Sequence, residues 1–137
     1  MIKALTIASI ILVVLCIIGG FVLLDNMFPV ADPIALPETE DITSVSLAQE
    51  DDLCVSVDPS DYALLLENMK NAQPTRIMSV NDYPGISNYY IIRIETPERA
   101  YQFWAYTEDS KAYIEDPYTG VYTTNAQFLD SLAAHFE

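Results

Sequence analysis

Tyr89-Tyr-Ile-Ile-Arg-Ile-Glu95, Tyr101-Gln-Phe-Trp-Ala-Tyr106 and Lys111-Ala-Tyr-Ile-Glu115 follow one another with only short polar connections, Thr96–Arg99 and Thr107–Ser110. β-branched and aromatic residues suit a pleated surface, and links this short join antiparallel neighbours, so the stretch predicts a three-stranded antiparallel meander. Side chains alternate across a strand. Tyr90, Ile92, Ile94, Phe103, Ala105, Ala112 and Ile114 can therefore share one face, leaving Tyr89, Ile91, Arg93, Trp104, Tyr106 and Tyr113 on the other. Aromatic residues beside an arginine are what binding surfaces favour. Arg93, Trp104, Tyr106 and Tyr113, with Tyr118 from the following turn, form the candidate interaction surface. The competing reading is that a helix packs on each face, or that these rings are half-buried cross-strand pairs.

Outward from the meander the pattern supplies more strands and two helices. Ile42–Leu47 and Leu53–Val57 alternate, with Leu53, Val55 and Val57 on one face and an acidic turn at 48–52 between them. Asp58 as N-cap, Pro59 at the first position and Asp61 open a helix whose apolar stripe is Tyr62, Leu65, Leu66 and Met69. Pro74 stops it. Arg76–Val80 reads as a strand, Asn81–Gly85 as a turn-rich loop and Asp116–Gly120 as a further turn. Thr124 and Gln127 form a capping box for a last helix with Phe128, Leu129, Leu132 and Phe136 as its stripe. The expected fold is α+β: an antiparallel sheet of about five strands with two packed helices, preceded by one N-terminal transmembrane helix.

That first helix comes from Ala4–Leu24, 21 residues without a charge. As a helix they span about 31 Å, against a hydrocarbon core of roughly 30 Å. Lys3 precedes the run and Asp25 follows it, so the positive side stays inside and the rest faces out. The sequence is thus divided into an anchor or signal at 1–24, a linker at 25–41 and an extracytoplasmic domain at 42–137. The expected address is the cell membrane, single-pass, with secretion or lipidation as alternatives. Cleavage sites after Gly20 or Ala31 are poor, and Leu15 before Cys16 makes a poor lipidation signal. Pro29, Pro33 and Pro37 with five acids favour an extended tether, reaching about 50 Å if fully stretched; the alternative is that a stretch of it packs on the domain.

Of the 20 acidic residues, all lie from Asp25 onward, against five bases: Lys70, Arg76, Arg93, Arg99 and Lys111. A surplus of this size repels phosphate backbones and disfavours both nucleic acid and a polybasic grip on lipid. Cys16 and Cys54 cannot pair if one lies in the bilayer; Cys54 reads as a small buried strand residue. His135, near a helix C-terminus, reads as a surface residue. There is no glycine-rich phosphate loop, nucleophile elbow or zinc spacing. Glu50, Asp51 and Asp52 lack the ordered ligand spacing of a calcium loop. Glu115 and Asp116 beside the tyrosine-rich turn read as a charged hairpin end. No catalytic residue, metal or cofactor is expected.

Ser79-Val-Asn-Asp82 followed by Tyr-Pro, together with Tyr113-Ile-Glu-Asp-Pro-Tyr118-Thr-Gly-Val-Tyr122, resembles a family of small extracytoplasmic domains of unknown function from Gram-positive bacteria. Its members are carried behind a lipoprotein signal or a membrane segment. The resemblance covers roughly residues 36–137 and implies location and fold, not an activity.

The expected function is a membrane-tethered extracytoplasmic binding or sensing module, not an enzyme. It would be held by residues 4–24 and would meet a protein or another cell-envelope component. The alternatives are an accessory structural subunit of an envelope complex, joined through its helix, and a carboxylate-based hydrolase.

Overall fold

The computed structural model describes residues 2–49, 53–80 and 82–137. The Glu50-Asp51-Asp52 cluster and Asn81 lie outside the described residues. The chain forms two compact units, Met1–Val30 and Ala31–Glu137.

The first unit contains helix α1, Ile2–Met27. Within it Ser9–Met27 is 19 residues of mean hydropathy 2.5, long and apolar enough to cross a membrane or to serve as a signal sequence. Its apolar side chains run all round the helix, which suits a lipid environment and not the one-sided burial of a surface helix. Phe28 N–H still bonds to the Leu24 carbonyl, and Pro29 then forbids continuation.

The second unit is one seven-stranded sheet, every neighbouring pair antiparallel, with two helices on one face. Its strands are β1 (Ser44–Gln49), β2 (Leu53–Ser56), β3 (Gln73–Pro74), β4 (Tyr89–Glu95), β5 (Ala100–Glu108), β6 (Lys111–Asp116) and β7 (Gly120–Thr124). Their order is β2-β1-β4-β5-β6-β7-β3. The meander stands as expected, and Tyr90 opposite Ala105, Ile92 opposite Phe103 and Ala105 opposite Ile114 put the expected apolar set on one face. The β5–β6 hairpin closes on Asp109 and Ser110, with φ of 48° and 64°, the positive pair that a tight hairpin requires.

Helix α2 (Tyr62–Lys70) follows a short 3-10 turn, Pro59–Asp61, capped by Asp58 accepting from the Ser60 amide at 2.9 Å. Helix α3 (Ala126–Ala133) is capped by Asn125, whose side chain accepts from Phe128 N–H at 2.8 Å. Both expected stripes are buried except for Phe136, which lies beyond α3 in a 3-10 turn (Ala134–Phe136) and is partly buried; with Val45, Leu47, Ile92, Ile94, Phe103 and Ile114 they make one core. Each such side chain contributes ~1.5–3 kcal/mol by leaving water, so this core carries most of the stability.

Several expectations are corrected. Seven strands replace about five, with two that were not expected: Gly120–Thr124 pairs with β6 as β7, and Gln73–Pro74 pairs with β7 as β3. Thr124 is consumed in that ladder opposite Ala112, which moves the helix cap one residue on to Asn125. Arg76–Val80 is not a strand. Its backbone pairing ends when Val121 N–H reaches the Ile77 carbonyl, and the chain then leaves the sheet edge. Cys54 is exposed on the edge strand β2, since Val55 and Val57 take the inward positions. Part of the 25–41 stretch packs on the domain, the alternative to a free tether. Ala31 is buried with its N–H on the Thr75 carbonyl, while Ile34 and Leu36 pack against the core.

Candidate functional site

Part of the second face of the sheet is covered by chain without helix or strand. Leaving the β7 edge at Ile77, residues 78–80 and 82–88 form a strap that meets β6 at Glu115 and β5 at Trp104 before β4 begins. Beneath it lie the alternate positions of the meander. Ile91 stands opposite Trp104, Trp104 opposite Glu115, and Tyr106 opposite both Tyr89 and Tyr113.

The strap is fastened by one buried carboxylate. Ser79 Oγ donates to Glu115 Oε1 at 2.6 Å, and the Tyr106 hydroxyl donates to Oε2 at 3.2 Å. Ser79 Oγ also accepts from the Tyr118 amide at 3.3 Å, while the Tyr118 hydroxyl donates to the Asp82 carboxylate. Tyr83 lies against Trp104, ring centroids 6.2 Å apart. Tyr106 and Tyr113 are 5.7 Å apart. Burial, with the charge of Glu115 behind it, pushes the Tyr106 phenol well above its usual range. The indole Nε1 of Trp104 is buried and has no hydrogen-bond partner among the described residues.

Tyr118 holds an uncommon backbone. Its φ is 61°, and the Thr119 amide closes the turn on the Asp116 carbonyl with Pro117 in the second position. Glycine or asparagine normally takes that place, because a bulky side chain is strained there. The bonds to Ser79 and Asp82 hold it. Gly120 next to it is needed for closeness: a Cβ there would collide with the Cβ of Ala31.

The structure thus assembles Trp104, Tyr106, Tyr113 and Tyr118 around Ser79 and Glu115. Arg93 is not part of this group; it is exposed at the margin with its Nε on Glu95 Oε1 at 2.6 Å. The expectation of an exposed aromatic surface is corrected: Trp104 is 1% exposed and Tyr106 is buried, because the strap lies over them. Glu115, Ser79, Asp82 and Tyr83 were missed as members. Period-2 alternation already puts Glu115 on the side of Tyr113, so its place was available from the sequence; the crossing of the strap was not. Among the described residues no group of three metal-ligating side chains forms.

A second feature lies where β5 outruns β6. Their ladder ends at Trp104 opposite Glu115, so Ala100–Phe103 are paired only toward β4. The gap is a cleft of about 330 Å³ lined by Ala35, Arg99, Tyr101, Gln102, Asp116 and Thr119 among others. Arg99 stacks its guanidinium 4.0 Å from the centre of the Tyr101 ring. Burial raises the Asp116 carboxyl, with the Thr119 hydroxyl and the Arg99 charge acting the other way.

A family described as a domain of unknown function, DUF5301, matches residues 30–123, and the chain belongs to it. The match begins at the boundary between the two units and runs into β7. The two strings Ser79–Asp82 and Tyr113–Tyr122 are the ones joined by the Ser79–Glu115 and Tyr118–Asp82 bonds. The chain is also similar to the NMR structure of a protein from Ruminococcus gnavus, with a TM-score of 0.59 and 25% identity, covering 69% of this chain and 97% of that one. No curated relative matches.

Proposed function

We propose that this member of the DUF5301 family is a membrane-tethered binding module, facing outward, whose contact surface is the outer side of the strap. The observation that carries the reading is the exposure of Ile77, Met78, Val80, Tyr83 and Tyr118, from 48% at Met78 to 70% at Val80. Elsewhere in Ala31–Glu137, among the described residues, Leu64 is the other comparably exposed large apolar side chain. Contiguous exposed apolar groups mark contact sites on soluble domains. These are displayed from a segment pinned underneath by Ser79 and Glu115, so the surface is organised before a partner arrives.

The tether rests on the uncharged run 4–24 within α1, with Lys3 before that run and Asp25 after it. The non-enzymatic reading rests on Glu115. It is the buried carboxylate of the strap site, and both its oxygens already accept hydroxyl bonds. A general base needs a free oxygen within reach of a substrate proton.

A photo-crosslinking residue in place of Val80, in the native membrane, tests the surface. A discrete adduct from position 80 and none from position 64 is expected; equal labelling from both ends the proposal. N-terminal sequencing of the membrane-bound protein tests the tether, and a mature start beyond residue 20 removes it.

A further inference from the structure

We infer that the cleft between the start of β5 and the 116–119 turn binds a small zwitterion, an amino acid or short unblocked peptide, through Arg99 and Asp116. The site adjoins the strap surface at the 116–119 turn but uses other side chains of that turn than Tyr118.

The cleft holds two opposite charges that do not satisfy each other. Among the described residues no carboxylate comes within 4.0 Å of the Arg99 guanidinium; its close neighbour is the Tyr101 ring. Asp116 feels the Arg99 charge without touching it, and its carboxyl is half-buried. A half-buried carboxylate without a cation is costly, and a guanidinium held against a ring offers a flat fork suited to a carboxylate. Asp116 keeps its bond from the Thr119 hydroxyl but has no cation in contact among the described residues, so a molecule with an ammonium at one end and a carboxylate at the other gives each charge a counter-ion at once. A mono-ion pairs with one charge only. Inorganic phosphate meets repulsion from Asp116 and from a chain of net charge −14.

Size and backbone agree with this class. A volume of about 330 Å³ admits an amino acid or a dipeptide and excludes a folded partner. Ala100–Phe103 have a β-strand neighbour on one side only, so an extended peptide unit could lie along the open side in the manner of strand addition. Pro117, which cannot donate from its backbone, and Ala35 wall the cleft without competing for those groups.

The test is amide NMR of the full chain in nanodiscs, titrated with glycine and with diglycine, then with N-acetylglycine and glycinamide as singly charged controls. Saturable shifts centred on residues 99–103 and 116–119 are expected from the zwitterions. The controls should bind about tenfold more weakly or worse, as loss of one charge-assisted bond implies. Tighter binding of diglycine assigns the site to peptides, and tighter binding of glycine to free amino acids. Arg99→Gln, at an exposed position, should weaken zwitterion binding about tenfold with the remaining spectrum unchanged. Asp116→Asn should do the same, with Asp116→Ser as the uncharged replacement should the turn not tolerate asparagine. No saturable shift, shifts centred elsewhere, equal binding of the controls, or undiminished binding to Arg99→Gln would each overturn the assignment.

Discussion

Ile92, Ile94, Phe103, Ala105 and Ile114 meet the apolar stripes of α2 and α3, whereas Ile91, Trp104, Tyr106, Tyr113 and Glu115, on alternate positions of the same strands, meet a segment with neither helix nor strand. The first face needs only apolar groups of suitable size, since burial is non-directional. The second depends on directed bonds: Ser79 to Glu115, Tyr106 to Glu115, Tyr118 to Ser79. A cover held by a few hydrogen bonds belongs to the low-stability end of a fold, where binding segments are commonly found. The same sheet is thus closed on one face by packing and on the other by directed bonds.

The largest expected effect tests whether the strap face is also a core. Phe103→Ala, under the helices, should cost ~3–5 kcal/mol, and Trp104→Ala, under the strap, should cost a similar amount because its ring is as fully buried. Urea unfolding of both variants decides it. A cost below ~1 kcal/mol for Trp104 would mean that the strap leaves the ring effectively solvated.

Glu115→Ala comes next, at ~1–3 kcal/mol, since two buried hydroxyls lose their acceptor. Hydrogen exchange and limited proteolysis should locate the loss. Cleavage within residues 76–88 should rise while amides of β4–β6 stay protected; uniform loss of protection would erase the distinction between the faces.

A smaller effect appears in alkali. The folded-state pKa of Tyr106 lies above its usual value, and burial pushes Tyr122 up to about 12. In each case the folded chain holds the proton more tightly than the unfolded one. That contribution is fully present below the unfolded value, roughly 10, and declines as pH rises beyond it. The urea midpoint should fall between about pH 10 and 12, less steeply in Tyr106→Phe. An unchanged midpoint would mean that the phenols titrate normally.

The smallest change is expected from Trp104→Phe. It removes the unpartnered Nε1–H along with some volume. Relief of an unsatisfied donor and loss of packing oppose each other, so the net should fall within about 1 kcal/mol of zero. A loss near that of Trp104→Ala would reveal a hydrogen bond to the indole.

Much of the sheltered face was legible because helix and strand periods are local. The stripe Tyr62, Leu65, Leu66 and Met69 and the alternation in β4–β6 need nothing beyond neighbours in the chain. The strap was not legible. Ile77, Met78 and Val80 look like strand residues, and only the length of the β7 pairing decides where the chain leaves the edge. The capping error has the same origin, since Thr124 is withdrawn from the helix by its partner Ala112 in another strand. The candidate surface followed suit: the alternation grouped Trp104, Tyr106 and Tyr113 correctly, but what lies over them is a contact between residues 36 apart, Ser79 and Glu115.

Ala31 has a mechanical meaning. Any load arriving through residue 30 enters the domain there, at the bond to Thr75, the contact with Gly120 and the 2.5 Å bond from the Tyr122 hydroxyl to the Asp32 carbonyl. Thr75 is four residues from Ser79 in the strap, while Tyr122 belongs to the helix-covered core, so a pull at residue 31 bears on both faces of the sheet. Load from the N-terminal side is gathered at β7, which carries both the core ring of Tyr122 and the backbone bonds of Val121 to Thr75 and Ile77.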